Sequence, residues 1–214
     1  PAEVCAGENL TLNGNPSGGT GNYTIHQWTG DVGPLSATDI QSPVFNTNTL
    51  GSYNLTYAVT DDNGCFGSDN ITVTVFENPI ANAGLNDSVC GDEYLLNAAP
   101  SIGSGTWTLS SGPGSASFDD ASSASTLVNI TDFGLYTFTW TEVNGPNCTD
   151  AANVSIVFLE DPVSDAGPDD NICGLEYPLS ASPSVGVGTW TLLSGPGNVV
   201  FDDEHNGSSF FTSE

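Results

Sequence analysis

The chain contains no lysine, no arginine and no methionine in 214 residues, against 26 acidic residues, so its formal net charge is −26 at pH 7. Nucleic-acid binding is excluded, because no cationic side chain is available to neutralise phosphates. Recruitment to anionic membrane surfaces, which attract basic clusters, is excluded for the same reason. The acidity then has two interpretations: a solvated surface that resists association, or a surface that recruits divalent cations.

Long apolar runs are also missing. No stretch approaches the roughly 20 residues needed to span a bilayer, and no basic segment followed by an apolar one marks a signal peptide. We therefore expect no membrane insertion in this segment. The sequence begins at Pro1 without methionine and stops within a repeat, and we expect it to be part of a longer or processed polypeptide.

A recognisable catalytic set is the third absence. The two histidines, His26 and His205, have no cysteine or aspartate at ligand or triad spacing, and no Gly-x-Ser-x-Gly occurs. We predict that the chain is not an enzyme.

A repeat organises what is present. Gly105-Thr106-Trp107-Thr108-Leu109 returns 83 residues later as Gly188-Thr189-Trp190-Thr191-Leu192, and Ser-Gly-Pro-Gly follows both copies. Residues 79–131 and 162–214 are identical at 26 of 53 positions. A fixed period indicates tandem modules, and the alternating Thr-Trp-Thr run predicts in each copy a short strand that turns its tryptophan towards a core.

The repeat divides the chain into residues 1–78, residues 79–161 and residues 162–214, with proline-bearing linkers of a few residues between them. The last range is the N-terminal part of a third repeat, because it stops before the counterparts of two long strands. Half a sandwich cannot bury its own core. Either the remaining strands lie beyond residue 214, or a neighbouring chain supplies them.

The fold class predicted from the alternation is all-β, with tandem immunoglobulin-like (PKD-like) antiparallel β-sandwiches. Asp61-Asp62-Asn63-Gly64 predicts a hairpin turn of type I′. Gly51-Ser52-Tyr53 and Gly134-Leu135-Tyr136 resemble the tyrosine corner of the immunoglobulin fold. Predicted strands cover residues 10–12, 24–29, 52–60, 71–75, 94–98, 106–110, 126–130, 135–141 and 153–159.

A cysteine near the same place in every module suggests disulfides and an oxidising compartment. The economical pairing is within modules, Cys5 with Cys65 and Cys90 with Cys148, which leaves the partner of Cys173 outside the chain. Simple up-and-down strands would put the two cysteines of a pair at opposite poles, beyond the ~4.4–6.8 Å Cα separation of a disulfide. The pairing therefore predicts that the first or last strand departs from that topology.

Acidic turns are the candidates for a calcium site, because hard cations take several oxygen ligands. Turn-forming aspartate and asparagine need no metal to explain them, so the site stays a low-ranking hypothesis. The residues are Asp61, Asp62, Asn63, Asp119, Asp120, Asp202 and Asp203, with a similar group at Asp169, Asp170 and Asn171.

The motifs carry a family likeness. Residues 23–31, 51–61 and 71–75 of the first module resemble a PKD domain. The later modules, with Ala-Gly, Cys-Gly, Gly-Thr-Trp-Thr and Ser-Gly-Pro-Gly in order, are similar to repeats of very large Bacteroidota surface proteins, a group that includes gliding-motility adhesins and other type IX secretion cargo. The resemblance implies export to the cell surface or medium and a structural or adhesive role.

The resulting hypothesis is a segment of an extracellular fibre or giant adhesin. Its partners would be other copies or modules of the same fibre, and possible further partners are surface glycans. The competing hypothesis is a spacer or carbohydrate-binding region of a secreted hydrolase. Exposed tryptophan or tyrosine rings beside polar groups would favour the competitor.

Overall fold

The computed structural model describes residues 1–213, which form sixteen β-strands and no helix. The strands predicted for the first two modules are confirmed, most of them longer than predicted. They are β1 Ala2–Cys5, β2 Leu10–Thr11, β3 Tyr23–Gly30, β4 Val44–Phe45, β5 Gly51–Asp61, β6 Phe66–Phe76, β7 Asp87–Cys90, β8 Glu93–Asn97, β9 Ser104–Ser111, β10 Ala116–Phe118, β11 Ser125–Ile130, β12 Gly134–Asn144, β13 Cys148–Leu159, β14 Glu176–Pro178, β15 Val199–Phe201 and β16 Phe210–Ser213.

The first module is a small sandwich of a four-stranded sheet, ordered β1-β6-β5-β3, and the pair β2-β4. Alternation along β5 turns Leu55 and Tyr57 inwards, where Tyr57 packs on Trp28 with ring centroids 4.8 Å apart. The buried residues of this core are Val4, Leu12, Trp28, Phe45, Leu55, Tyr57, Val73 and Val75.

The second module is a fuller sandwich. A four-stranded sheet ordered β7-β13-β12-β9 faces a three-stranded sheet ordered β10-β11-β8. Trp107 on β9 and Trp140 on β12 are 1% exposed and have ring centroids 5.2 Å apart. The prediction that the Trp107 ring points into a core is confirmed. The buried residues of this core are Ala83, Leu96, Ala98, Trp107, Val128, Ile130, Tyr136, Phe138, Trp140, Val154, Ile156 and Phe158.

A tyrosine corner lies at the start of the long central strand of each sandwich, β5 and β12. The hydroxyl of Tyr53 donates to the carbonyl of Thr49 at 2.8 Å, and that of Tyr136 donates to Asp132 at the same distance. Each bond reaches four residues upstream, as the immunoglobulin corner does. The predicted resemblance is confirmed.

The third module has one sheet, ordered β14-β16-β15, which repeats β8, β11 and β10 of the second module. The prediction of a strand at Gly188–Leu192 is wrong, although its first copy lies within β9. β9 is a strand because it pairs with β12, and residues 1–213 hold no counterpart of β12 for the second copy. Trp190 stays only half-buried.

Two further predictions need correction. The sandwiches are not wholly antiparallel, because β1 pairs in parallel with β6 and β7 in parallel with β13. The turn after β5 is not type I′, which requires positive φ at both central residues. Among residues 1–213 only glycines have positive φ, so the turn is type I, closed by a bond from Gly64 N–H to the carbonyl of Asp61 at 3.0 Å and by left-handed Gly64.

The sheets and cores fall within residues 1–78, 79–161 and 162–213, and the domain bounds themselves stay a prediction. No helix that could cross a membrane occurs among the described residues.

Candidate functional site: a disulfide between consecutive modules

The candidate site is a covalent bond between the first two modules. Cys5 is the last residue of β1, and Cys148 is the first residue of β13, directly after the hairpin turn that follows β12. Their sulfur atoms are 2.06 Å apart and their Cα atoms 5.5 Å apart. The Cα distance lies in the middle of the range that disulfides require. Both residues are buried, Cys5 at 6% and Cys148 at 2% exposure.

The predicted pairs within modules are wrong. Cys5 lies opposite Phe76 at the end of β6, whereas Cys65 directly precedes the first residue of that strand. At 3.3 Å per residue, the eleven-residue strand separates them by about 36 Å. The same holds for Cys90, which lies opposite Leu159 at the far end of β13 from Cys148. The parallel first strand keeps the two cysteines of a module at opposite poles.

The linker makes the bond between modules possible. Because it is short, the hairpin turn of the second module lies against the end of the first. The side-chain amide of Asn144 donates to the carbonyl of Glu77 at 2.8 Å, and that of Asn78 donates to the carbonyl of Ala6 at 2.9 Å. Gly145 approaches the ring of Phe76 so closely that a Cβ there would lie 2.9 Å from it. Hydrogen bonds, packing and one disulfide therefore join the modules at the same place.

The bond closes a loop with a sequence separation of 143. Chain entropy of the unfolded state puts the stabilisation from such a loop at up to about 5 kcal/mol. The disulfide also joins the two modules covalently, whereas the linker region otherwise joins them through hydrogen bonds and packing.

Three cysteines remain unpaired. Cys65, Cys90 and Cys173 are free and exposed. Each corresponds to one half of the bonded pair: Cys90 and Cys173 lie at the place of Cys5, and Cys65 lies at the place of Cys148.

The carboxylates of the acidic turns accept hydrogen bonds from nearby N–H and O–H groups. Asp61 accepts hydrogen bonds from the N–H groups of Cys65, Asn63 and Thr20 at 2.8, 3.0 and 3.1 Å. The bonds from Cys65 and Thr20 hold the pKa of Asp61 below its usual value. Asp62 accepts from Thr20 and Asn22, which lower its pKa as well. These hydrogen bonds stabilise the turn before Cys65.

The later turns follow the same rule. Asp120 accepts from the hydroxyl and N–H of Ser122, which lower its pKa. Asp202 accepts from Ser209 and from the N–H of Phe210, with the same effect on its pKa. Asp203 accepts from the N–H of His205 at 3.0 Å. Asp119 lies beside Asp120 and uses its own N–H to bond Leu127.

No group of three or more histidine, cysteine, aspartate or glutamate side chains within residues 1–213 is arranged to hold a metal ion. The turns at Asp61–Asn63, Asp119–Asp120 and Asp202–Asp203 each lie in a different module. Calcium binding at these turns stays a prediction.

The calcium hypothesis predicts a higher melting temperature in millimolar calcium than in chelator, because a ligand that binds only the folded state raises its stability. Thermal unfolding of the oxidised chain, followed by circular dichroism in the two buffers, measures the difference. Equal melting temperatures would remove the hypothesis.

Sequence reasoning missed one buried carboxylate, Glu142. It follows Trp140 by two residues on β12 and is 1% exposed, so the inward alternation of this strand ends on a charge. The sequence signal was available, because Glu142 continues the inward-facing series of Tyr136, Phe138 and Trp140 along β12. The Ser101 hydroxyl and N–H donate to it at 2.6 and 3.1 Å, and the Trp140 indole donates at 2.9 Å.

Neutral donors alone stabilise this charge, since the chain has no lysine or arginine. Burial opposes ionisation of Glu142, but the bonds from Ser101, Trp140 and Ile102 outweigh it and hold the pKa below its usual value. The carboxylate joins the loop at Ser101 to the core strand. Its donors are the Ser101 hydroxyl, the N–H groups of Ser101 and Ile102 and the Trp140 indole, contacts that hold the loop against the strand.

A cavity in the third module has the appearance of a ligand site. Trp190, Thr189 and His205 line it together with Ala166 and Ala181. Three of these residues repeat Trp107, Ala83 and Ala98, which belong to the core of the second module. In that module Trp140 of β12 covers Trp107, so the cavity marks the position of a core strand.

No protein-family model matches the chain, and no curated protein matches it. Solved structures do. An I-band fragment of titin is similar over 99% of this chain and 84% of its own length, with a TM-score of 0.56 and 16% identity. Fibronectin(III)-like modules of Clostridium thermocellum CbhA cover 74% of this chain and 90% of their own, at a TM-score of 0.44 and 14% identity. A PKD domain from the KIAA 1837 protein is similar over 42% of this chain and 92% of its own length, with a TM-score of 0.34 and 23% identity.

The titin likeness shows an immunoglobulin-like β-sandwich fold. A disulfide such as that between Cys5 and Cys148 is typical of proteins in oxidising compartments.

Substitution of Glu142 by glutamine should destabilise the second module by about 2–3 kcal/mol at pH 7, because the amide cannot accept all of the bonds that the carboxylate accepts. A folded pKa below the unfolded value of about 4.3 gives stability that is present above pH 4.3 and lost as pH falls through the folded pKa. The gap between wild type and variant should therefore close on acidification. Denaturant unfolding followed by tryptophan fluorescence at several pH values measures it.

The matched control is Glu93→Gln, at an exposed position of β8, which should leave stability within about 0.5 kcal/mol of wild type. A gap for Glu142→Gln that is constant from pH 7 to pH 3 would contradict the assigned direction of the pKa.

Alkylation of the native, unreduced chain should add three labels, at Cys65, Cys90 and Cys173, because these thiols are exposed. Reduction in denaturant before alkylation should add five. Intact mass and peptide mapping give both counts. A single label at Cys173 on the native chain would restore the pairing within modules.

Proposed function

We propose that the chain is a non-enzymatic structural segment of an extracellular fibre or giant adhesin. The observation that supports this most strongly is the disulfide between Cys5 and Cys148, which ties one module to the next rather than bracing either sandwich internally. A bond at that place restrains the angle between modules. A rod or stalk uses such a restraint, whereas a set of independently moving domains does not.

The force path gives this role a physical basis. Tension applied to the two ends of the chain passes from Cys5 directly to Cys148 through the sulfur atoms. The residues between them are removed from the path. With a sequence separation of 143 and ~3.5 Å per extended residue, the bond withholds roughly 500 Å of chain from extension.

The surface chemistry is consistent with exposure outside the cell. A chain without lysine or arginine offers trypsin-like proteases no cleavage site, and a net charge of −26 keeps neighbouring fibres apart. The proposal includes export by a type IX secretion system to a Bacteroidota cell surface, as the resemblance of the repeats implies. Other modules of the same fibre, and surface glycans, are the partners it proposes.

The carbohydrate-binding alternative has less support. Trp28, Trp107 and Trp140 are at most 4% exposed and cannot stack on a sugar. The half-buried Trp190 lines a cavity that corresponds to core in the second module.

Single-molecule stretching of the chain through terminal tags tests the mechanical role. The oxidised wild type should extend by roughly 500 Å less at full unfolding than the Cys5→Ser variant, because the bond shields the loop from load. The control Cys65→Ser, at an unpaired position, should extend as the wild type does. Equal extension of oxidised wild type and Cys5→Ser would refute the role of the bond in bearing load.

A further inference from the structure

The observed disulfide follows a rule that can be written in terms of the repeat. The first cysteine of one module, at the end of its parallel strand, pairs with the second cysteine of the next module, after its hairpin turn. The rule leaves Cys90 without a partner in residues 1–213, because the third module holds only its first cysteine, Cys173.

The surroundings of Cys90 repeat those of Cys5. Cys5 ends the parallel strand β1 opposite Phe76, and Cys90 ends the parallel strand β7 opposite Leu159. The next residue in each case turns its N–H to the end of the last strand. Ala6 donates to the carbonyl of Phe76, and Gly91 donates to that of Leu159, both at 2.9 Å.

The junction that follows each cysteine is also repeated. Glu77-Asn78-Pro79 and Glu160-Asp161-Pro162 have the same length and end on the same residue. Asn78 reaches back to Ala6, and the carboxylate of Asp161 lies close to Gly91, the counterpart of Ala6. The linker therefore leaves the second module in the way it leaves the first.

Exposure separates the paired from the unpaired copies. Cys5 and Cys148 are buried by each other and by the junction, whereas Cys90 is exposed at the corresponding end of the second module. The backbone around Cys90 has the form seen in the bonded copy, and the thiol faces solvent at the place where the next hairpin turn would lie.

We propose that Cys90 forms a disulfide with the cysteine that repeats Cys148 in a completed third module, 83 residues further along, so that one bond of this kind joins each module to the next. The proposal goes beyond the structural role above, since it stands on the repeat and the observed bond whether or not the chain bears load.

The chemistry is thiol–disulfide exchange. The Cys90 thiolate attacks a small-molecule disulfide such as oxidised glutathione and displaces one thiol, and the second cysteine displaces the other from the mixed disulfide. One sulfur–sulfur bond forms and one breaks. The two electrons and two protons lost by the cysteines leave on the two glutathione thiols.

The loops closed by such bonds overlap. The bond at Cys5 closes a loop that ends at Cys148, and the loop from Cys90 begins before that point. Each interior module then carries a bond at both poles, so no junction of the array bends or separates without a covalent restraint.

The test adds a copy of residues 132–161 after residue 214, which supplies the missing strands and one cysteine at the repeat position. The protein is refolded with reduced and oxidised glutathione and digested without reduction by an acid-tolerant protease, because trypsin has no site. Mass spectrometry should find two linked pairs, Cys5 with Cys148 and Cys90 with the added cysteine. A link from Cys173 to the added cysteine, or a free Cys90 beside a free added cysteine, would overturn the proposal.

A second chain keeps the test decisive if the completed third module does not fold, which its digestion by limited proteolysis reports. In this chain residues 1–161 are followed directly by another copy of residues 79–161, so every module is a complete sandwich. The first copy of Cys90 should then link to the second copy of Cys148. A link within either copy would overturn the proposal.

Two serine variants are the matched controls. Cys90→Ser should leave the added cysteine free and preserve the bond from Cys5 to Cys148. Cys173→Ser should preserve both bonds. Loss of the new bond in Cys173→Ser, with Cys90 then free, would contradict the rule.

Discussion

Hydrogen bonding by the long central strand supports everything else in a module. In the second module β12 pairs with β9 on one side and with β13 on the other, and its inward residues Tyr136, Phe138 and Trp140 form the middle of the core. Where this strand is present, the Gly-Thr-Trp-Thr run becomes a strand. Where residues 1–213 lack its counterpart, in the third module, the same run lies without a partner and its tryptophan remains half-buried.

The same hairpin positions the bond between modules. β12 and β13 extend beyond the sandwich core to a turn at the pole that faces the first module, and Cys148 follows that turn. The length of the hairpin therefore sets how far the cysteine reaches, and the short linker brings the end of β1 to meet it. A packing feature of one module thus becomes a covalent feature of the array.

A chain of one charge sign has to stabilise its carboxylates without ion pairs to lysine or arginine. It does so with N–H and O–H donors, at the turn carboxylates Asp61, Asp120 and Asp202 and at the buried Glu142. Since carboxylates that accept several bonds favour the ionised form, the pKa of each of these four side chains lies below its usual value. Cross-linking through cysteine suits such a chain, because covalent bonds do not depend on charge complementarity between modules.

Several features followed from the sequence because they depend on neighbours along the chain. Period-two alternation located the long strands at residues 52–60 and 135–141, and Gly-x-Tyr located both tyrosine corners. Local pattern failed where an outcome depends on something distant. The parallel strands β1 and β7 are only four residues long and are defined by the last strand of their module. The turn at Asp61–Gly64 was predicted as type I′ but is type I, because the Asp61 carboxylate accepts from the N–H of Asn63 and the left-handed residue is Gly64.

Four features follow from the sequence alone: the repeat, the all-β class, the absence of lysine and arginine, and the alternation that buries Trp107 and Trp140. The sequence could not determine the pairing of Cys5, because spacing counts residues within a module while the bond forms in space across a junction. Nor could it determine the state of the Gly-Thr-Trp-Thr run. The two copies are identical in sequence, and only the tertiary structure decides between them, since a strand in a sheet needs a neighbouring backbone to accept and donate its hydrogen bonds.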